Sequence, residues 1–244
     1  MIETAIIIPS RLDAKRLPNK PLSLINHKEM ILHVYDAARN TNIGDVYVAT
    51  PDKEVMDVVK KHGGLAVETD LKHETGTDRI FEVFDKFLKR KPKIIINLQG
   101  DMPNINPKSI ITLYNHMKKK LCDVGTLAGK LEKSRDEKNF NVVKVVSKEI
   151  LQEENFSQAM DFFRLTNNEI NKKTYHHIGI YAFTDKALIR YVELERSKFE
   201  IERKLEQMRV LENDMRIDVG YVKSSPLSID TQEDLNEIKR IMEN

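Results

Sequence analysis

Four cations stand within ten residues of one another: Arg11, Lys15, Arg16 and Lys20 follow the apolar run Ile6-Ile7-Ile8-Pro9. Clustered guanidinium and ammonium groups on a loop stiffened by Pro18 and Pro21 suit a polyanion, and the triphosphate of a nucleotide suits them better than a neutral ligand. Two acids could complete such a site. Asp101 follows Ile94-Ile95-Ile96-Asn97-Leu98 and sits beside Gly100 and Pro103, so it either holds a hard cation such as Mg²⁺ or stabilises its own turn. Asp230 closes Leu227-Ser228-Ile229 ahead of Thr231-Gln232-Glu233-Asp234, in which Thr231 and Asp234 fit a helix capping box. Asp230 lies just outside that cap and is the second candidate carboxylate for Mg²⁺.

Other polar groups carry weaker signals. Thr75-Gly76-Thr77-Asp78-Arg79 opens a helix, and its amides and Arg79 could take a phosphate or a base edge, or simply cap the helix. Period-two alternation puts His177, Gly179 and Tyr181 on one face of a strand, which lines a pocket or is half buried. No HExxH or Cys/His spacing points to zinc, and the absence of GxxxxGK[ST] and GxGxxG argues against a P-loop phosphotransferase or a dinucleotide oxidoreductase.

An alternating order of elements must position these residues. Strand-like runs at 5–8, 45–49, 65–68 and 93–98 alternate with helical patterns at Met30–Arg39, 53–62, 78–88 and 107–120. The isoleucine runs read as strands buried on both faces, as in a parallel sheet, and such sheets bind ligands at the carboxyl ends of their strands. Beyond residue 120 the pattern loosens, with strands expected at 123–131, 142–146 and 177–183 and few periodic cues over 157–174. A small insert, flap or dimerisation element is expected there. Regularity resumes with a helix over 199–213, whose stripe Ile201, Leu205, Met208 and Leu211 faces the core and leaves Glu206, Gln207 and Arg209 as a polar edge. A strand at 217–222 and a helix from Gln232 follow. The fold class is α/β, with a mostly parallel central sheet flanked by helices.

Composition excludes several classes. Forty Lys plus Arg against 38 Asp plus Glu give a formal +2, so no global basic field points to a nucleic-acid partner. No stretch reaches the ~18 apolar residues of a membrane span, and the N-terminus lacks the pattern of a secretory leader. The single Cys122 cannot close an intrachain disulfide and is read as core, which leaves a cytoplasmic, unanchored protein as the expectation.

Seven segments, taken in order, resemble the 3-deoxy-manno-octulosonate cytidylyltransferases, the CMP-KDO synthetases. They are Ile8-Pro9-Ser10-Arg11 with Arg16-Leu17-Pro18-Asn19-Lys20-Pro21-Leu22; Thr75 to Arg79; Gln99-Gly100-Asp101-Met102-Pro103; Asn141-Val142-Val143-Lys144-Val145-Val146; His177-Ile178-Gly179-Ile180-Tyr181; Leu205-Glu206-Gln207-Met208-Arg209; and Asp230-Thr231-Gln232-Glu233-Asp234-Leu235. The resemblance implies a single GT-A-like nucleotidyltransferase domain over 1–244 with an insert near 126–176, a homodimer, CTP as donor, and an acid sugar, KDO, as acceptor, the product serving lipopolysaccharide synthesis. It also implies roles: Asp101, Lys20, Arg11 and Asp230 in catalysis; Ser10, Arg11, Lys20, Arg79 and Gln99 on CTP; His177, Tyr181, Glu206 and Gln207 on the sugar; and Asp101 and Asp230 on Mg²⁺.

The chain also departs from the family pattern. Phe-Ser-Arg followed shortly by Ile-Pro is usual, whereas this chain reads Phe156-Ser157-Gln158-Ala159-Met160-Asp161-Phe162-Phe163, and Arg164 is the nearby candidate to replace the lost cation. Lys15 stands where a small hydroxyl residue is common, Asn19 where Gly is common, and Met102 replaces a frequent Glu. A different acid sugar, or a nucleotide-binding homologue without activity, are the competing readings.

Overall fold

The isoleucine run forms β1 (Thr4–Pro9), buried along its whole length, in the computed structural model, which describes residues 4–13, 16–132, 136, 139–153, 155–165 and 170–243. The chain divides into two compact units: residues 1–111 with 226–244, and residues 112–225.

In the first unit β1 is followed by a short hairpin, β2 (Leu24–Ile25) and β3 (Lys28–Glu29), turned by Asn26 and His27 at φ 49° and 63°. This hairpin was not expected from the sequence, because two-residue strands carry no periodicity. Next come α1 (Met30–Arg39), β4 (Asp45–Thr50), α2 (Lys53–Lys61), β5 (Leu65–Glu68) and α3 (Gly76–Glu82), which passes into a π-helical turn at Val83–Phe87. β6 (Ile94–Leu98) is again wholly buried. β1 pairs in parallel with β4, Ile6 opposite Val46, and with β6, Ile6 opposite Ile96, while β5 flanks β4. The order is therefore β5-β4-β1-β6. The chain steps outward from β1 to β4 and β5, then returns to the other side of β1. That reversal opens a crevice at the carboxyl ends of β1 and β6.

The chain leaves the first unit within α4 (Pro107–Met117). The second unit holds β7 (Val124–Gly129), β8 (Lys144–Ser147), β9 (Phe156–Phe163), β10 (Thr174–Thr184), α5 (Asp185–Glu193), α6 (Lys198–Arg203), α7 (Met208–Glu212) and β11 (Ile217–Tyr221). Here the sheet is mixed. β11 runs parallel to β7, but β10 pairs antiparallel with both β7 and β8, and β9 antiparallel with β11 and β8. The expectation of a mostly parallel sheet holds for the first unit and is corrected for the second. β8, β9 and β10 follow one another with no described helix between them, so no crossover enforces parallel pairing among them, whereas three helices precede β11, which is parallel to β7.

Two further expectations are corrected. The helix expected over 199–213 is two short helices, because the chain takes a left-handed turn at Lys204, φ 55°. Ile201 consequently faces solvent, while Leu205 and Met208 are buried. The segment with few periodic cues contains an eight-residue strand, β9. The last helix, α8 (Gln232–Met242), belongs to the first unit and starts with the predicted capping box of Thr231 and Asp234. No helix among the described residues is long and apolar enough to cross a membrane.

Candidate active site

The crevice is built by anchoring a cationic loop at both ends. Ser10 extends β1 by donating its amide to Ala49 O at 2.9 Å, and the Leu12 amide donates to Asp52 Oδ2 at 2.7 Å. Leu17 is buried in a cluster with Ile25, Met30, Ile229, Leu235 and Ile238, so the middle of the loop is held down by hydrophobic burial. Asn19 turns the chain at φ 57°, a conformation Asn tolerates better than most residues, and Pro21 is the second residue of the 3₁₀ turn Lys20–Leu22, its fixed φ suiting that turn. Lys15 lies outside the described residues.

The two acids arrive from different ends of the chain and are tied together by backbone. Ile229 donates its amide to Asp101 O at 3.0 Å. Asp234 Oδ2 accepts from the amides of Asp230 and Thr231 at 2.9 and 2.8 Å. Cap duty thus falls on Asp234, and the Asp230 carboxylate is directed elsewhere, as the sequence predicted. Lys20 Nζ lies 3.0 Å from Asp101 Oδ2, 3.4 Å from Asp230 Oδ1 and 2.8 Å from Ile229 O. Arg16 reaches the other oxygen of Asp230 at 2.9 Å. Burial alone would lower the pKa of Lys20, but attraction to Asp101 and then Asp230 carries it above the usual lysine value.

The opposite wall comes from α3 and the end of β6. Thr75 caps α3 by accepting the Asp78 amide at 3.1 Å. Arg79 is almost fully buried, donating to Thr69 Oγ1 at 2.6 Å and Asp70 O at 3.0 Å. Burial and then the neighbouring Arg11 hold its pKa below the usual arginine value. Two like charges drawn together in this way are stabilised by a bound anion. A relay from Thr77 through Asn97 to Gln99, with both hydrogen bonds at 3.2 Å, fixes the Gln99 amide. Gly76 keeps the floor open: a Cβ there would meet the Pro9 ring at 3.3 Å and Gln99 Nε2 at 3.4 Å.

The result is a cleft of about 510 Å³ lined by Ser10, Arg11, Arg16, Lys20, Arg79, Gln99, Asp101 and Asp230. Every residue expected on the nucleotide or the metal is brought to this one mouth. Ser10 Oγ is buried here with no hydrogen-bond partner among the described residues, a cost that a ligand's polar atom would relieve. Sequence reasoning missed Asp13, His73 and Glu74, which also line the cleft. His73 is held by Glu82 Oε2 at 2.6 Å, and its only sequence signal was proximity to the Thr75 cap.

His177, Tyr181, Glu206 and Gln207 do not line this cleft; all four belong to the second unit. The His177 and Tyr181 rings lie 5.4 Å apart, on one face as predicted, with an irregularity in the β10–β7 register between Ile178 and Tyr181. Both side chains are buried. Thr126 Oγ1 donates to Ile180 O at 2.7 Å, so His177 Nε2–H, 3.0 Å away, donates to it. Burial pushes the His177 pKa down to about 3 and that of Tyr181 well above 10, so both are neutral at pH 7. Gln207 is buried beside α7, and Glu206 is half-buried. Arg209, expected on a polar edge, is buried in an ion pair with Glu200.

Among the described residues, His116, Cys122 and Asp218 bring three potential ligand atoms within 4.8 Å of one another. The Asp218 oxygens are already engaged by His116 and Arg216, each at 2.8 Å, and burial pushes the Cys122 thiol up to about 12. This cluster is an ion-paired brace around an inert thiol.

Residues 5–217 match the protein family described as Cytidylyltransferase. A 3-deoxy-manno-octulosonate cytidylyltransferase from Bartonella bacilliformis is 36% identical over 242 residues, covering 99% of each chain. One from Afipia carboxidovorans is 41% identical over 241 residues, covering 98% of this chain and 97% of its own. Among solved structures, CMP:2-keto-3-deoxy-manno-octonic acid synthetase complexed with CTP superposes with a TM-score of 0.89 at 34% identity, over 99% of this chain and 98% of that one. The 4-diphosphocytidyl-2C-methyl-D-erythritol synthase of Anaerococcus prevotii, at 13% identity and a TM-score of 0.68 over 99% of each chain, shares the fold.

Proposed function

The chain belongs to the cytidylyltransferase family, and within it to the 3-deoxy-manno-octulosonate cytidylyltransferases; on that premise we propose that it activates KDO with CTP, giving CMP-KDO and pyrophosphate for lipopolysaccharide synthesis. The observation that carries this reading is the convergence of Asp101 and Asp230 on one cation in a cleft that also gathers Arg11, Arg79 and the unsatisfied Ser10 hydroxyl.

In this reading the anomeric hydroxyl of KDO attacks the α-phosphorus of CTP in line, its bond to phosphorus forms as the bond to pyrophosphate breaks, and the hydroxyl proton is released. Two anions must meet, so charge neutralisation and positioning dominate and no protein nucleophile is needed. Arg11 and Lys20 take the phosphates and stabilise the departing pyrophosphate. Ser10, Arg79 and Gln99 bind the remainder of the nucleotide, with Gln99 aimed by the Asn97 relay. Asp101 and Asp230 fit Mg²⁺ by donor chemistry: two carboxylates reach a common ammonium at 3.0 and 3.4 Å, and hard oxygen donors are what this ion takes. Mg²⁺ bound there would supply Lewis-acid polarisation of a phosphoryl oxygen.

His177, Tyr181, Glu206 and Gln207 are proposed to serve the sugar, with His177 and Tyr181 acting as neutral groups. The proposal extends to a single GT-A-like transferase domain with an insert near 126–176, acting as a homodimer in the cytoplasm. One observation favours a second acceptor. Gln158 replaces a usual arginine, and Arg164 is occupied with the carbonyls of Phe140 and Asn141 at 3.2 and 3.4 Å. A different acid sugar therefore remains the alternative. The test is pyrophosphate release with CTP and Mg²⁺, with KDO and sialic acid offered in parallel. Release with KDO alone supports the reading, and release with sialic acid alone transfers the assignment to another acceptor.

A further inference from the structure

Lys20 places its ammonium within 3.4 Å of both acids. Its three N–H donors are all committed to oxygens: Asp101 Oδ2, Ile229 O and Asp230 Oδ1. The side chain is 16% exposed and rises from the 3₁₀ turn that follows the left-handed Asn19, so its base is fixed while its four-carbon stem can swing. Arg16 adds a second positive charge on Asp230. The two acids are therefore neutralised by the protein's own cations.

We propose that Lys20 is an internal counter-ion that closes the Asp101–Asp230 pair to divalent metal until a nucleoside triphosphate arrives. Resting on the nucleotide reading above, the inference adds an order of events. An ammonium within 3.4 Å of both carboxylates repels a second cation seeking the same oxygens, and its removal would leave two uncompensated carboxylates, the hard oxygen donors a divalent ion takes. A polyphosphate offers Lys20 and Arg16 more negative charge than the carboxylates do. Transfer of those side chains to the phosphates uncovers the acids as the metal is needed. Metal and nucleotide affinities are then coupled, each raising the other by the same factor.

The test measures Mn²⁺ binding to the purified full chain by electron paramagnetic resonance, without nucleotide or sugar. Wild-type protein should bind Mn²⁺ only in the millimolar range, whereas Lys20→Met should bind it at least about tenfold more tightly, and adding Asp101→Asn should abolish that gain. Lys20→Gln gives the same readout should the methionine variant fail to fold. Equal or weaker Mn²⁺ binding by the Lys20 variants would overturn the proposal. So would micromolar Mn²⁺ binding by wild-type protein that Asp101→Asn removes. CTP affinity, titrated separately without metal, keeps the two readings distinct. Tighter Mn²⁺ binding in Lys20→Met with no CTP binding by wild-type protein supports the counter-ion and sinks the nucleotide site, while CTP binding by wild-type protein with Mn²⁺ affinity unchanged in Lys20→Met does the reverse.

Discussion

The two units treat charge in opposite ways. In the first, Arg11, Arg16, Lys20, Asp101 and Asp230 crowd a cleft in which guanidiniums repel and the Ser10 hydroxyl lacks a partner among the described residues. In the second, polar groups are closed within the fold: fully buried Lys144 donates to the carbonyls of Asn139, Val142 and Arg164 at 2.7–3.0 Å, and Glu200 grips Arg209 through two bonds of 2.6 and 2.8 Å. Like charges that repel beside a buried hydroxyl point to a ligand, and charges closed into buried pairs point to architecture. Mutation of the cleft charges should therefore damage binding, and mutation of Lys144, Glu200 or Arg209 should damage folding.

The largest stability effect is expected at the closed pair. Arg209→Met leaves the buried Glu200 with its contacts to Arg196 and the Ser197 amide but without its bidentate partner, and should cost about 3–5 kcal/mol in denaturant unfolding. Adding Glu200→Gln should recover much of that loss, because the unpaired charge disappears. A loss below about 1 kcal/mol for Arg209→Met would remove the distinction between the units.

His177 gives the next effect. Its folded-state pKa, about 3, lies below the ordinary 6.5, so between these values the unfolded chain binds a proton that the folded chain rejects. Stability from this group is complete above pH 6.5 and is lost as pH falls toward 3, at about 1.4 kcal/mol per pH unit. From pH 7 to 5, wild-type protein should lose about 2 kcal/mol more than His177→Gln, as read from paired urea titrations. Parallel pH profiles would show that His177 is not buried neutral.

Arg11→Ala should leave the melting temperature nearly unchanged, since the side chain is exposed, and should weaken CTP binding by about 1.5–3 kcal/mol, the worth of a charge-assisted bond. Calorimetric titration with CTP checks this. The smallest effect is at Asn19: Gly should be tolerated within about 0.5 kcal/mol, whereas Ala at φ 57° should cost about 1 kcal/mol. Thermal melts of the two variants, if equal, would place no strain at that turn.

The first unit was legible because its signals agree. Uninterrupted isoleucines can only be buried, Gly63-Gly64 stops a helix, and the capping box at Thr231 separates structural Asp234 from available Asp230. The second unit was harder for physical reasons. β9 lacks clean alternation because its pairing with β8 shifts register between Val146 and Ser147. The apolar spacing over 199–213 is helical, but a left-handed residue at Lys204 interrupts it, and no local propensity announces that turn. α5 was overlooked although Thr184 caps it by accepting the Ala187 amide and Ala187, Leu188 and Tyr191 form its buried stripe. Within the cleft, the residues legible from spacing were Arg11, Arg16, Lys20, Asp101 and Asp230, while the charged Asp13 and Glu74 were not. His73 was not, because its place depends on Glu82 across a loop.

Magnesium-dependent pyrophosphate release from CTP and KDO, measured for wild type and Asp101→Asn together with their melting temperatures, addresses the central claim most directly. Asp101→Asn should lose more than about 100-fold in turnover while melting within a few degrees of wild type. Near-normal turnover in that variant would contradict the assignment of chemistry to the cleft of the first unit.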